Sequence, residues 1–156
     1  MNLATMVLER CLQAEHDIKE LEASYQLAKD VATSVGQRLE DTGDRHAVGT
    51  HNERVANSGC ELAEIAKAID ARREARTAEV LAVARMIKRL PALLGKVINL
   101  YYIERKSLQS IAGALGYSYG YTRQLRVDAL GRLGDIPDDE VAGMLPEGYH
   151  MEEATP

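Results

Sequence analysis

A chain of 156 residues with no Phe, no Trp and aromatics at 4% cannot build the thick aromatic core of a large enzyme, and its 46% of apolar residues suits thin, elongated helical packing. The formal net charge of −5 argues against a polyanionic partner only if it is evenly spread, and it is not: residues 1–84 hold 10 Lys/Arg against 15 Asp/Glu, residues 85–133 hold 9 against 2, and residues 134–156 hold none against 7. The middle block, at +7, carries enough positive charge for phosphate contacts that the chain average conceals.

Two cysteines, Cys11 and Cys60, make no disulfide framework, and each is expected as a small buried apolar side chain on a helix. No signal peptide and no apolar run of about 18 residues is visible, so the expectation is a reduced, cytoplasmic, soluble protein with no membrane partner.

From Ala4 the apolar residues step by three and four without a break: Ala4, Val7, Cys11, Ala14, Ile18, Leu21, Tyr25, Ala28, Ala32, Val35 and Leu39. This heptad seam predicts one helix of about 37 residues, roughly 55 Å long at 1.5 Å per residue. Such a helix cannot bury its stripe alone. It pairs either with another helix of the chain or with a second copy, which makes a homo-oligomer through the long helices an expectation.

Residues 40–59 are rich in Gly, Asp, Asn and Thr and read as a loop. His46 and His51, with Asp41, Asp44 and Cys60 nearby, match no compact ligand spacing, so neither metal nor cofactor is expected. A second long helix should begin near Ser58 or Cys60 and run to Leu90, with Leu62, Ile65, Ile69, Val80, Val83, Ile87 and Leu90 as its stripe. Its charged middle, ARREART, is read as a solvated face, or else as a set of partners for Glu15, Glu20 or Glu22. Pro91 suits the first turn of a third helix whose inner stripe is Leu94, Val97, Ile98, Tyr101 and Tyr102. Beyond Leu133 the chain is acidic and dotted with Pro and Gly. One short helix over residues 137–145 is expected there, with the rest flexible.

Between these lies SLQSIAGALGYSYGYTRQL, residues 107–125, whose spacing is that of a helix-turn-helix. Ser107 suits the N-cap of a first helix with Leu108, Ile111 and Leu115 on one face and Ala112 small enough for a close crossing. Gly116 suits the positive φ that ends it. Ser118 suits the cap of a second helix, in which Thr122, Leu125, Ala129 and Leu133 face inward. Tyr101, Tyr102 and Tyr117 are expected in the core, and Tyr119 and Tyr121 at the surface. Arg123 is the first choice for a bidentate guanine contact and Gln124 for adenine. Gly120 lets a backbone amide approach a phosphate. Tyr119 and Tyr121 reach a thymine methyl or a phosphate, Arg126 and Arg132 a phosphate or an exposed rim, and Arg105 and Lys106 stand where the chain enters the motif. The expected DNA-binding set is therefore Arg105, Lys106, Ser107, Ser118, Tyr119, Gly120, Tyr121, Arg123, Gln124 and Arg126. No catalytic arrangement competes, and an enzyme is not expected.

Segment 104–133, ERKSLQSIAGALGYSYGYTRQLRVDALGRL, resembles region 4 of sigma-70-type factors in its IA pair, its GYS turn and its AL..L ending. With Leu90-Pro91 and Tyr101-Tyr102 ahead of it, the chain resembles phage transcriptional activators of the RinA and ArpU type, with Thr122 where an aliphatic residue is usual and Gly131 where a basic one is common. The resemblance implies promoter-region binding to double-stranded DNA, with Tyr119, Gly120, Arg123 and Gln124 facing the major groove, in phage or prophage gene control. The expected fold is all-α: a long antiparallel, coiled-coil-like helical hairpin over 1–90 with a loop near 40–59, a sigma region 4-like helix-turn-helix over 91–134, and an acidic, largely flexible tail over 135–156. The alternatives are a phage assembly protein such as a small DNA-packaging (terminase) subunit, and a factor that binds RNA polymerase. The −7 tail beside the +7 block is further expected to compete with DNA for the basic face.

Overall fold

A computed structural model describes the backbone of residues 1–42 and 48–151 and the side chains of residues 1–34 and 59–151. The described chain is all-helical. Six α-helices, α1 (Leu3–Thr42), α2 (Val48–Ile87), α3 (Ala92–Ile98), α4 (Leu108–Leu115), α5 (Tyr119–Gly134) and α6 (Asp138–Met144), are joined by short turns, and α3 runs on into a π turn, Asn99–Ile103. Residues 1–14 and 74–156 make one compact unit and residues 15–73 a second.

In the first unit the beginning of α1 and the end of α2 share one core with the four short helices. Ala4, Val7, Leu8 and Cys11 of α1 meet Ala82, Val83 and Met86 of α2, with Leu94, Val97, Ile98, Leu100 and Tyr102 from α3 and its π turn. With neither Phe nor Trp available, Tyr102 is the largest side chain with no exposed surface. Full burial of a Val, Leu, Ile or Met side chain in this core contributes about 1.5–3 kcal/mol. The expected stripe of α2 is rotated here: Ala78, Glu79, Ala82, Val83 and Met86 are buried, whereas Val80, Ile87 and Leu90 are half-buried. Gly95 lets α3 approach the end of α2, since a Cβ there would stand 2.9 Å from Ile87 Cγ2.

Among the described residues Glu79, with no exposed surface, is the one charged residue that is buried. Its Oε1 accepts from Arg10 Nε at 3.2 Å and from the Tyr149 hydroxyl at 2.7 Å. A buried carboxylate is tolerable only when charge and hydrogen bonds replace water, and here they come from α1 and from the segment after α6. That segment corrects an expectation. The short helix over 137–145 is present, but the stretch around it is packed: Ile136, Val141 and Met144 are buried, and Tyr149 is half-buried. Asp138 accepts from the Leu3 backbone N–H, Arg85 Nη1 donates to the Met144 carbonyl, and Arg89 pairs with Glu140. Acidic composition reads as solvated, yet these three apolar residues are enough to anchor it. Residues 152–156 of the expected tail lie outside the described residues.

In the second unit the stretches of α1 and α2 bury few side chains. Ile18 and Ile69 are buried, while Leu21, Tyr25, Ala28 and Ala32 are half-buried, as are Leu62 and Ile65. The seam positions Val35 and Leu39 lie outside the described side chains. The ARREART segment does pair across: Arg72 Nε stands 3.2 Å from Asp17 Oδ2, and Arg73 Nη2 stands 2.7 Å from Glu22 Oε1. The Arg73 pair is exposed and contributes at most about 1 kcal/mol. Leu27 and Val31, four residues apart on α1, are 66% and 54% exposed.

The expected loop over 40–59 is mostly helix, because α1 reaches Thr42 and α2 begins at Val48. Its Gly and Asn residues each cost a helix under about 1 kcal/mol, whereas proline, the one strong breaker, first occurs at Pro91. Residues 43–47, with Asp44 and His46, lie outside the described residues, as do the side chains of Asp41 and His51. Cys60 is exposed rather than buried. Among the described residues no helix is long and apolar enough to cross a membrane, and no group of His, Cys, Asp and Glu is placed to hold a metal.

Tyr149→Phe removes a donor from a fully buried carboxylate and should cost about 1–3 kcal/mol in urea unfolding at neutral pH. Burial, then the bond to Glu79, pushes the Tyr149 phenol from 10.0 up to about 12. A folded-state value above the unfolded one stabilises below the lower value and loses that contribution as pH rises through the higher one. The stability difference between wild type and Tyr149→Phe should therefore shrink over this alkaline window, and a constant difference across it would contradict the assignment.

Candidate nucleic-acid interface

The turn between α4 and α5 is built from local hydrogen bonds. Ser107 takes an extended backbone and its Oγ accepts from Ser110 N–H at 3.1 Å, satisfying one free amide at the start of α4. Ile111 and Ala112 are buried beneath that helix, with Leu108 and Leu115 half-buried. Gly116 then adopts φ 75°, and the Tyr117 N–H returns to the Ala112 carbonyl at 3.0 Å. Two residues later Ser118 Oγ accepts from Tyr121 N–H at 3.2 Å and starts α5.

The faces of α5 divide as its periodicity predicts. Thr122, Leu125, Ala129 and Leu133 are buried. Thr122, which has no exposed surface, donates its hydroxyl to the Ser118 carbonyl at 2.9 Å, so a polar residue fits an apolar register. Gly120, Arg123, Gln124, Val127 and Gly131 share an exposed face. A Cβ at Gly120 or Gly131 would meet nothing within 4 Å, which leaves the backbone open to close approach. Arg123 has no hydrogen bond or ion pair among the described residues, whereas Gln124 Nε2 donates to Asp128 Oδ1 at 3.0 Å, one turn on.

The remaining expected site residues are placed as follows. Tyr119 and Tyr121 are 54% and 47% exposed. Tyr117, expected in the core, is 42% exposed, because its ring lies edge-on against Tyr121 at 5.0 Å rather than beneath the turn. Ser107 and Ser118 spend their hydroxyls on caps. Arg105 and Lys106 follow the π turn, in which Glu104 N–H bonds the Asn99 carbonyl at 3.0 Å. Arg105 takes φ 57°, and Lys106, with its N–H on the Leu100 carbonyl at 2.9 Å, pairs at 3.5 Å with Glu104. Both side chains are exposed.

Arg126 is half-buried and differs from the rest. Its guanidinium carbon lies 4.3 Å from the centre of the Tyr101 ring and 5.6 Å from that of Tyr102, and Nη2 donates to the Tyr102 hydroxyl at 3.0 Å. Burial pushes the Tyr102 phenol above its ordinary value, and Arg126 acts against that shift. Neither this clasp nor the buried Glu79 had a signal in the sequence, since each depends on partners far along the chain. The contacts of α6 with basic side chains fall on Arg85 and Arg89 of α2.

Together these elements present, on one short capped helix, a cation, an amide, an apolar side chain and open backbone, flanked by tyrosines. Comparison with protein-family models, with curated proteins and with solved structures finds no match.

Because Gly116 holds a positive φ, Gly116→Ala should destabilise by about 1–2 kcal/mol. Ser118→Ala, which leaves the first turn of α5 uncapped, should cost about 0.5–2 kcal/mol, measured by thermal unfolding. A neutral outcome for both would mean that this turn does not set the helix boundary.

Proposed function

We propose that this chain is a sequence-specific DNA-binding regulator of transcription, in which α4 and α5 act as a sigma region 4-like helix-turn-helix and α5 enters the major groove. The reading includes the phage or prophage setting that the resemblance to RinA- and ArpU-type activators implies, with α1 and α2 as a long helical hairpin. The observation that carries it is the division of α5: one face is spent on the core while the opposite face offers Arg123, with no partner among the described residues, beside Gln124 and the open backbone of Gly120. Arginine and glutamine are the side chains whose donors match guanine and adenine edges, and a positive surrounding block supplies phosphate contacts.

Selection of bound fragments from a random duplex library tests this directly. Arg123→Ala should weaken the selected site by about 1–3 kcal/mol and relax one position of it, while Lys106→Ala should weaken all sequences alike. Equal binding by wild type and Arg123→Ala across the library would defeat base reading by α5.

A second reading, a small DNA-packaging subunit, draws on the exposed Leu27 and Val31 of α1, which offer a second copy an apolar contact. Mass measurement separates the two. A large closed ring favours packaging, and a monomer or dimer favours regulation.

A further inference from the structure

Arg126 stands between buried Leu125 and exposed Val127 on α5, at the margin of the proposed reading face. Its environment is unlike that of a phosphate-binding arginine. The guanidinium lies 4.3 Å over the face of Tyr101, and Nη2 is committed to the Tyr102 hydroxyl at 3.0 Å. Nε is buried with no hydrogen-bond partner. The two rings it grips are themselves set edge to face, 4.8 Å apart, and Tyr102 has no exposed surface. The Tyr102 carbonyl accepts from Cys11 Sγ at 3.7 Å, which ties the same residue to α1. A weakly hydrated guanidinium with several forked donors can lie over one ring and donate to the hydroxyl of the next at the same time, which a compact, strongly hydrated ammonium does less well.

Both tyrosines belong to the π turn, whose wider spiral reduces the angle between successive side chains and so lets two neighbours grip one cation. Two residues beyond that turn the chain passes through Arg105, Lys106 and Ser107 into α4. The clasp thus joins the margin of α5 to the segment that delivers α4, from outside the turn between the two helices.

We propose that Arg126 is a positioning residue of the DNA-binding face. Through Tyr101 and Tyr102 it fixes the attitude of α5 on the π turn, and so where Arg123 and Gln124 stand, and it takes no phosphate itself. This rests on the DNA-binding reading above. A phosphate ligand and a positioning residue differ in salt dependence, because only the ligand releases counterions.

The test uses the full chain with the tightest duplex from the random library and with an unrelated duplex, each across a range of salt concentrations. Arg126→Ala should weaken the selected duplex about tenfold and leave the slope of log affinity against log salt unchanged, whereas Lys106→Ala should flatten that slope by about one. Arg126→Lys should not restore affinity, since it keeps the charge but loses the forked donors that reach the Tyr102 hydroxyl from over the Tyr101 ring. Tyr102→Phe keeps the core ring and removes only the acceptor of Nη2, so it remains informative where Arg126→Ala unfolds. It should weaken the selected duplex more than the unrelated one, and adding it to Arg126→Ala should cost nothing further. A slope flattened by one in Arg126→Ala, rescue by lysine, equal weakening of the two duplexes by Tyr102→Phe, or independent losses in the double variant would overturn the assignment while leaving the DNA reading intact. A wild-type chain that binds neither duplex would overturn the DNA reading itself.

Discussion

A carboxylate with no exposed surface must be answered by charge and hydrogen bonds, and Glu79 is answered from both ends of the chain. Arg10 comes from the first helix, 69 residues before it, and Tyr149 from the last segment, 70 residues after it. Apolar contacts between helices tolerate a slide of one turn at modest cost, but a directional bond to a buried charge does not. One oxygen thus contributes both to the register of α1 on α2 in the first unit and to the seat of the C-terminal segment, beside the apolar contacts of Ile136, Val141 and Met144. With the apolar core shared by Ala4, Val7, Leu8 and Cys11, it joins residues 1–14 to residues 74–156 in one compact unit although the sequence separates them.

Tyr102 is the second fixed point. Its backbone carbonyl faces Cys11 of α1, its ring fills the centre of a core without Phe or Trp, and its hydroxyl meets Arg126 of α5. The exposed face of α5 is thereby connected to α1 through one residue of the π turn. A short helix of 16 residues gains little stability by itself. It presents a defined face because its opposite side is packed on α3 and α4, and because its margin is held by the tyrosine pair.

What could be read in the sequence is what local periodicity and capping chemistry decide. The register Thr122, Leu125, Ala129 and Leu133, the serine caps at 107 and 118, and the left-handed Gly116 depend on neighbours within a few residues, and the structure has them. The seam from Ala4 to Ile18 was legible for the same reason. The burial of Glu79 was not, because its partners are remote and a glutamate in a charged stretch looks solvated. The helical backbone across 48–59 was hidden by residues that are each weak breakers in isolation. Ile136, Val141 and Met144 were masked by the acids around them. Tyr117 was misplaced because a ring can satisfy itself edge-on against another ring at the surface as well as beneath a turn.

The charge of the central block is also less available than its sum. Arg85 and Arg89 are engaged by the carbonyl of Met144 and by Glu140, and Arg126 by the tyrosines, whereas the Lys106 pair with Glu104 is exposed. Lys88, Lys96, Arg123 and Arg132 remain exposed with no partner among the described residues. Part of the positive charge of this block is thus tied to contacts within the fold, and part is left exposed. On the DNA-binding reading, the exposed cations supply phosphate contacts that carry no sequence information, which leaves discrimination to the side chains on α5.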